Sequence, residues 1–581
     1  MLSTFLSSKK MFDDILTYLK PYFLYVKGQP VIFTQLYFWA FFAVVLAIYS
    51  LIYKQNKTRT IYLLLVSFFF YYKTSGVFLI LLIFTICSDY NWGRLIHESR
   101  SATKKKIYLT CSLVLNLSLL CYFKYAYFFV ESVNQLGNTH LEFFNHFTSF
   151  SNTFLGTTDP IDRLILPVGI SFFTFQSISY TIDIYREKVK PVNSIFDYGF
   201  FVCFFPHLVA GPIVKANEFL YQIYQPYSLS KKEFGMAVFW IINGLAKKIL
   251  ADYIAINYID RIFDSPTYYS GVETIFGIFG YSLQIYADFS GYTDIAIGVA
   301  LLLGYRLKTN FKSPYKAQDV SEFWKRWHIS LSSWLKEYLY IPLGGNKRGT
   351  IGSYVCIAIL SFVLIMLTGK MWLLLVLLFI AIVFVLLAYF FPKVKQSINT
   401  NINLLVTMLL GGLWHGSSWL FIIWGGLNGL GLVVHKLWQK FSVKFLPHGN
   451  ENSKGVKISR EDKTPFALKA FWVFVTLTFI SFTRIFFRSD SLDTVNLIFD
   501  RISNHLGFEL VFDVIKGYWV VFMVIAIGYL IHWIPEKTKE YYRETFAGMP
   551  LPAMATTVLI AIFCIYQLIS GEMQPFIYFQ F

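Results

Sequence analysis

The sequence predicts an all-α protein that crosses a membrane many times, and three observations carry that prediction. Of 581 residues, 56% are apolar, 20% aromatic and only 15% charged, whereas a soluble globular domain carries about 25% charged residues. The missing charge falls in long runs such as "MWLLLVLLFIAIVFVLLAYFF", Met371–Phe391, long enough to cross a hydrocarbon core of roughly 30 Å. These runs are unbroken, while the strands of a membrane barrel alternate apolar and polar residues.

Residues 1–30 are amphipathic and basic with no early apolar run, so no cleaved signal peptide is expected. Candidate spans follow at 31–53, 60–73, 76–90 and 107–130, forming an N-terminal block of membrane helices over 31–160. A central block, 161–437, holds 163–183, 235–257, 272–304, 353–369, 371–391 and a broken 402–435. Within it, 197–214 is apolar but carries Pro206, Gly211 and Pro212, which favour a re-entrant segment over a straight span. Residues 438–465 read as a polar cytoplasmic loop. The C-terminal block, 466–581, adds 466–487, 517–534 and 553–570. No internal repeat of the kind seen in transporters is visible.

The net charge of +17 sits in short clusters beside the spans: "KQNKTR", "SRSATKKK", "REKVK", "NKR" and "PKVK". That is the pattern of cytoplasmic loops under the positive-inside rule, with the bilayer as the partner and no nucleic acid. By the same rule 131–162 and 258–271 face outside and Tyr305–Lys316 faces the cytoplasm. The six cysteines show no pairing or metal spacing and read as small core residues, so no metal is expected.

The stretch "EFWKRWHISLSSWLKEYLYIPLGG", Glu322–Gly345, concentrates aromatic and charged side chains between spans. Drawn as one helix, it puts Lys325, His328, Ser332 and Lys336 on one face and Phe323, Trp327, Leu331, Trp334 and Tyr338 on another. Two readings follow. In one, this is an interfacial helix whose aromatic face meets lipid. In the other, His328 points into a polar cavity where Lys325 and Lys336 attract an anionic group such as a phosphate.

A second histidine, His415, lies in "GGLWHGSSWLFIIWGG", within a region free of charge from Leu404 to Val434. Ionisable groups at membrane depth mark functional sites by default. The surrounding glycines leave room for close helix approach or a broken helix. A core histidine bonded to a carbonyl is the plain alternative, but a near-neutral imidazole is the natural general base for a hydroxyl near pH 7. A third cluster, "YADFSGYTD", sets Asp288, Ser290 and Asp294 inside an apolar run. Buried carboxylates need partners, so a bracing network is favoured there over direct catalysis.

Five ordered motifs resemble the membrane-bound O-acyltransferase superfamily. They are Leu166–Arg186, "FFPHLVAGPIV", Tyr281–Gly298, Phe323–Gly349 and "GGLWHG". The likeness is closest to the bacterial branch of alginate O-acetyltransferase membrane subunits, peptidoglycan O-acetylation proteins and teichoic acid D-alanylation proteins. It implies a ring of tilted helices around a central funnel, with re-entrant and interfacial helices. It also implies a catalytic core over 161–437 and two catalytic histidines, His415 and His328. Lys325, Arg326, Ser332, Trp414, Asp288, Ser290 and Asn428 would be binding or supporting residues. The chain departs from the pattern in a wide His328–His415 separation, read as an inserted helical hairpin at about 350–395. Glu337 stands where aspartate is common. Asn428 stands where histidine is common, so that histidine's role does not carry over.

The expected activity is O-acyl transfer, with acetyl-CoA or another acyl thioester as donor and no tightly bound cofactor. The acceptor would be an extracytoplasmic polysaccharide, served by an SGNH-hydrolase-like partner outside a bacterial cytoplasmic (inner) membrane, because the outer loops are short. D-alanyl transfer from a carrier protein toward teichoic acid is one alternative, and a non-enzymatic transporter of lipid-linked sugars is another.

Overall fold

The computed structural model describes residues 20, 22–26, 30–137, 139–155, 166–368, 370, 372–445, 465–568 and 574–577. Among them every regular element is helical, and the chain is an all-α, multi-pass membrane protein. Among the described residues seven helical stretches are long and apolar enough to cross a membrane. An eighth candidate is the pair Phe508–Gly517 and Trp519–Trp533, bent by 91°.

That is fewer than the run of apolar segments suggested, and the reasons are local. The candidates at 60–73 and 76–90 belong to one stretch, Asn56–Glu98, because a 3-10 turn at Gly76–Phe78 carries the helix through the polar "YKTSG" interval. The candidate at 163–183 becomes the short helix Ile170–Tyr185, whose side chains are nearly all buried, so its apolar character serves packing. Leu36–Ile52 and Leu551–Tyr566 are apolar but short. The segment 197–214 breaks as its prolines and glycine predict: Ile195–Cys203, one turn at Phe205–Leu208, then irregular backbone, all buried from Phe201 onward.

The contacts divide the chain into two units. The first comprises Met1–Lys124, Phe143–Ile241 and Ile295–Leu307. In it Ile170–Tyr185 packs against Leu79–Glu98 and Ala102–Leu120. Asp89, fully buried, accepts hydrogen bonds from Ser112 Oγ (2.7 Å) and Asn116 Nδ2 (2.9 Å), which meets the demand for internal polar partners in a lipid setting.

The second unit comprises Tyr125–Glu142, Ile242–Asp294 and Lys308–Phe581. Its core gathers Tyr258, Tyr281, Trp327, Trp424, Ile480 and Phe487. Every predicted site residue lies in this unit. The hairpin at 350–395 is present as Ile351–Thr368 and Trp372–Phe390, the latter exposed along its apolar length as a lipid-facing helix would be. Pro392, at the first turn, then opens the helix Pro392–His415, ten residues earlier than the span at 402 suggested.

Two expectations are corrected. The helix Trp419–Phe445 runs past 438, so 438–445 are helical; the rest of the expected loop up to 464 lies outside the described residues, as does most of 1–30. Of the cysteines only Cys203 is buried, Cys356 is intermediate, and Cys87, Cys111, Cys121 and Cys564 face outward from helices. An apolar helix face toward lipid accepts cysteine as readily as a core does, so composition could not separate the two.

Candidate active site

His328 does not sit on a continuous helix. Val320–Arg326 ends at Trp327, and Ile329–Leu335 begins after His328, whose backbone is left-handed (φ 44°, ψ 55°). A non-glycine residue there is uncommon and strained, and the surroundings enforce it. The first helix opens on a capping box: Glu322 N donates to Asp319 Oδ1 (2.8 Å) and Gln318 N to Glu322 Oε2 (2.8 Å). The second is capped by buried Asn310. Its carbonyl accepts from Ile329 N (2.9 Å), and its Oδ1 accepts from Ser330 N (3.0 Å) and Ser330 Oγ (2.9 Å). Held at both ends, the break turns His328 fully inside, against the rings of Phe289 (4.8 Å) and Phe311 (6.5 Å). Burial pushes its pKa down and favours the neutral imidazole.

His415 ends its own helix, before a short irregular link, Gly416–Ser418, to Trp419–Phe445. The glycines explain how these two helices close on each other. A Cβ on Gly412 would lie 2.2 Å from the Phe421 carbonyl oxygen, and one on Gly425 would lie 2.3 Å from that of Met408. Backbone meets backbone there, as small residues permit in membrane packing. At Gly416 a Cβ would strike the Phe421 ring at 2.1 Å. The result sets the imidazole of His415, 5% exposed, among Trp414 (5.0 Å), Trp424 (5.1 Å) and Phe487 (5.4 Å).

The two imidazoles lie edge to face, 6.4 Å between centroids and 69° between planes, with Trp414 also 6.0 Å from His328. Two residues far apart in sequence thus share one aromatic pocket. Phe487 and Phe421, in contact at 5.0 Å, also line a polar cavity of about 630 Å³. Its walls carry Asp252, Asp260, Asp264, Asp288, Lys248 and Arg488, and residues 574–577 contribute Gln574, Pro575 and Ile577. Among the described residues no group of His, Cys, Asp and Glu has the makings of a metal site.

The sequence profile of the membrane-bound O-acyltransferase family matches residues 107–391, a span that includes His328 and ends before His415. A peptidoglycan O-acetyltransferase of Helicobacter pylori is 32% identical over 79% of this chain and 77% of its own length. A probable alginate O-acetylase of Azotobacter vinelandii is 28% identical over 94% of this chain and 99% of its own. The chain belongs to the membrane-bound O-acyltransferase family. It is an acyltransferase. A teichoic acid D-alanyltransferase of Streptococcus thermophilus, 25% identical over 56% of this chain and 70% of its own length, stands further off.

In this acyltransferase the predicted site residues separate into two groups. His328, His415 and Trp414 are brought together. Asn428, 1% exposed, is one turn beyond Trp424: its Nδ2 donates to the Trp424 carbonyl (2.9 Å) and Thr483 Oγ1 (3.4 Å), and its Oδ1 has no hydrogen-bond partner among the described residues. Ser290 follows Phe289, the residue that touches His328. Ser332 braces the helix break, donating from Oγ to the Trp327 carbonyl (3.3 Å).

The other assignments are corrected by the broken helix. Lys325 is exposed and does not share a helical face with His328. Arg326 is engaged by Glu322 (2.6 Å) and the Lys312 carbonyl (3.2 Å). Phe323, Trp327, Trp334 and Tyr338 are buried rather than turned to lipid, because the break folds the aromatic face inward. Asp288 and Asp294, on the helix Gly271–Leu302, need no such correction: they meet lysines, Lys248 at 2.8 Å and Lys247 at 2.6 Å, in the kind of bracing network favoured for them.

Several residues of the site lay outside the sequence reading, among them Phe289, Phe487, Lys248 and Arg484. Phe289 and Phe487 wall the histidines, and single phenylalanines in a chain this aromatic give no signal. Lys248 and Arg484 did carry one, since each is a charge inside an apolar span. Arg484, 3% exposed, stacks on Trp327 at 4.4 Å and donates to the Tyr315 hydroxyl.

Proposed function

We propose that this acyltransferase moves an acetyl group from a cytoplasmic thioester, acetyl-CoA or another acyl thioester, to the outer side of a bacterial inner membrane for O-acylation of a polysaccharide. The observation that carries the reading is the pair of neighbouring imidazoles, with a polar cavity lined by the Phe487 that touches one of them. The cavity is lined from Asp260, Asp264 and Asp490, in or beside segments that the positive-inside rule puts outside. The acetylated polymers named for the Helicobacter and Azotobacter relatives, peptidoglycan and alginate, support an extracytoplasmic glycan as acceptor.

In this mechanism His415 takes the proton of an acceptor hydroxyl, and the oxygen attacks the thioester carbonyl. The tetrahedral intermediate collapses by breaking the C–S bond, and the imidazolium returns its proton to the departing thiolate. General-base help of this kind is worth about 10²- to 10⁴-fold in rate. His328, neutral and across the pocket, orients or polarises the donor. An SGNH-hydrolase-like partner outside the membrane then passes the acyl group to the final sugar.

The test is ester-linked acetate on surface glycans of cells with and without the chain, followed by reconstitution of the purified chain with labelled acetyl-CoA. Acetate that depends on the chain is expected. Unchanged acetate with chain-dependent D-alanine esters would replace this reading with D-alanyl transfer, which the Streptococcus relative favours. Acetylation of polysaccharide by the purified chain alone would remove the partner.

A further inference from the structure

One wall of the polar cavity has no part in the reading above. It is formed by residues 574–577, which are tied to the helices Lys231–Ile254, Asp260–Asp264 and Gly271–Leu302 through specific bonds. Ile577 N donates to Asp288 Oδ2 (2.8 Å), Gln574 Nε2 donates to Asp260 Oδ2 (3.3 Å), and Lys248 Nζ donates to the Pro575 carbonyl (3.4 Å). Phe576 is 1% exposed, with Lys248 Nζ 4.8 Å from its ring centroid and the Tyr292 ring 4.9 Å away. Lys248 itself is held between Asp252 Oδ1 (2.7 Å) and Asp288 Oδ1 (2.8 Å) and is 1% exposed.

This is an expensive way to fasten four residues. Burying an ion pair stabilises a fold no better than an apolar replacement does, and charge inside membrane helices is retained where it has work to do. The segment also does not fill the cavity, which keeps its volume of about 630 Å³ with the segment in place. It is a wall, not a plug. Phe421 and Phe487 also line the cavity, and the ring of Phe487 touches His415.

We propose that Lys248 and Asp288 are positioning residues for acyl transfer. They hold segment 574–577 as the wall of the vestibule through which a hydroxyl-bearing acceptor approaches His415, an inference that rests on the acyl-transfer reading. The vestibule has the chemistry for such an acceptor: carboxylates that accept from hydroxyls, Arg488 that donates to them, and two phenylalanine faces for the carbon skeleton. Asp288 has the double duty, since one oxygen takes Lys248 and the other takes the backbone of the segment.

The experiment uses the full chain in cells and reads two things. An Ile577→Cys variant, with and without Asp288→Asn, is treated with a membrane-impermeant maleimide, the parent chain giving the background of the native cysteines. Ile577 is 8% exposed, so labelling is expected to be slow, and Asp288→Asn is expected to speed it about tenfold, a loss of about 1.4 kcal/mol of holding energy. In parallel, surface acetate esters are measured at equal membrane abundance for Asp288→Asn and for Phe576→Ala, which leaves the lysine–aspartate pairs intact. Both are expected to lower acetate at least about tenfold. Unchanged labelling would overturn the claim that Asp288 holds the segment. Faster labelling with full acetate would overturn the claim that the wall serves the reaction. Should the unsubstituted chain give no acetate at all, the acyl-transfer reading fails by itself, and the labelling arm still decides whether Asp288 holds the wall.

Discussion

The imidazoles of His328 and His415 lie 6.4 Å apart, centroid to centroid, and share Trp414 as a neighbour. That gap is too wide for a direct hydrogen bond between the rings and narrow enough for both to reach one small group between them. In the proposed mechanism a reacting carbonyl and the hydroxyl that attacks it are such a group, and the two rings would divide the labour of one step.

Replacing His415 by alanine should therefore lower transfer about 10²- to 10⁴-fold, the usual worth of a general base, with membrane abundance unchanged. For His328 the informative change is asparagine, which tolerates the left-handed backbone. A loss in His328→Asn then reports the imidazole and not the helix break. Surface acetate at matched abundance checks both, and full activity in either variant would remove that histidine from the chemistry.

Arg484 should matter to the same pocket without touching the histidines. Its guanidinium lies over Trp327, the residue before His328, and donates to the hydroxyl of Tyr315. A desolvated cation–π contact is worth about 2 kcal/mol. Arg484→Met should lower the thermal midpoint of the detergent-purified chain and reduce activity. Arg484→Lys should recover little of either, because an ammonium cannot stack as the planar group does. Full recovery by lysine would mean that charge alone is needed there.

The contact between the Pro392–His415 and Trp419–Phe445 helices predicts a steric effect that needs no charge. Gly425→Ala would push a methyl group to 2.3 Å from the Met408 carbonyl oxygen. Backbone cannot yield as a side chain can, so the helices must part, at about 1–3 kcal/mol. The variant should unfold at lower temperature and lose activity. Gly548→Ala, at a position with nothing within 4 Å, should leave both unchanged. Melting curves of the two variants side by side test the point.

The parts of this site that the sequence revealed are those whose signal is local. His415 is conspicuous because nothing charged surrounds it, and the glycines beside it announce close backbone contact. His328 stands out for a similar reason, among aromatic residues between two spans. The break at Trp327–His328 could not be read, since "FWKRWHISLSSW" contains neither glycine nor proline. It is imposed from outside by Asn310, and a partner in a distant loop leaves no local mark. Without the break, Lys325 and Arg326 looked like neighbours of His328, and folding turned them elsewhere. Lys248 and Arg484 were visible as charges in apolar spans, but their partners, Asp288 with residues 574–577 and Trp327, exist only in three dimensions.

Lys539 offers a prediction in pH. It lies on the Glu536–Gly548 helix, outside the candidate spans. Its Nζ donates to Ser313 Oγ (2.7 Å) and to the His532 carbonyl (2.8 Å). Burial first, and then repulsion from Lys316, push its pKa down to about 8, whereas an unfolded lysine titrates near 10.4. Between those two values the unfolded chain holds more protons on this group than the folded chain does, so stability rises with pH across that window. Below about pH 8 both states are protonated and the folded chain bears the full cost of the buried charge. The wild-type chain should therefore gain thermal stability relative to Lys539→Met on going from pH 7 to about pH 9.5. Melting curves of the two purified chains at both pH values measure the difference, and a gap that stays constant would mean that Lys539 titrates as an ordinary surface lysine.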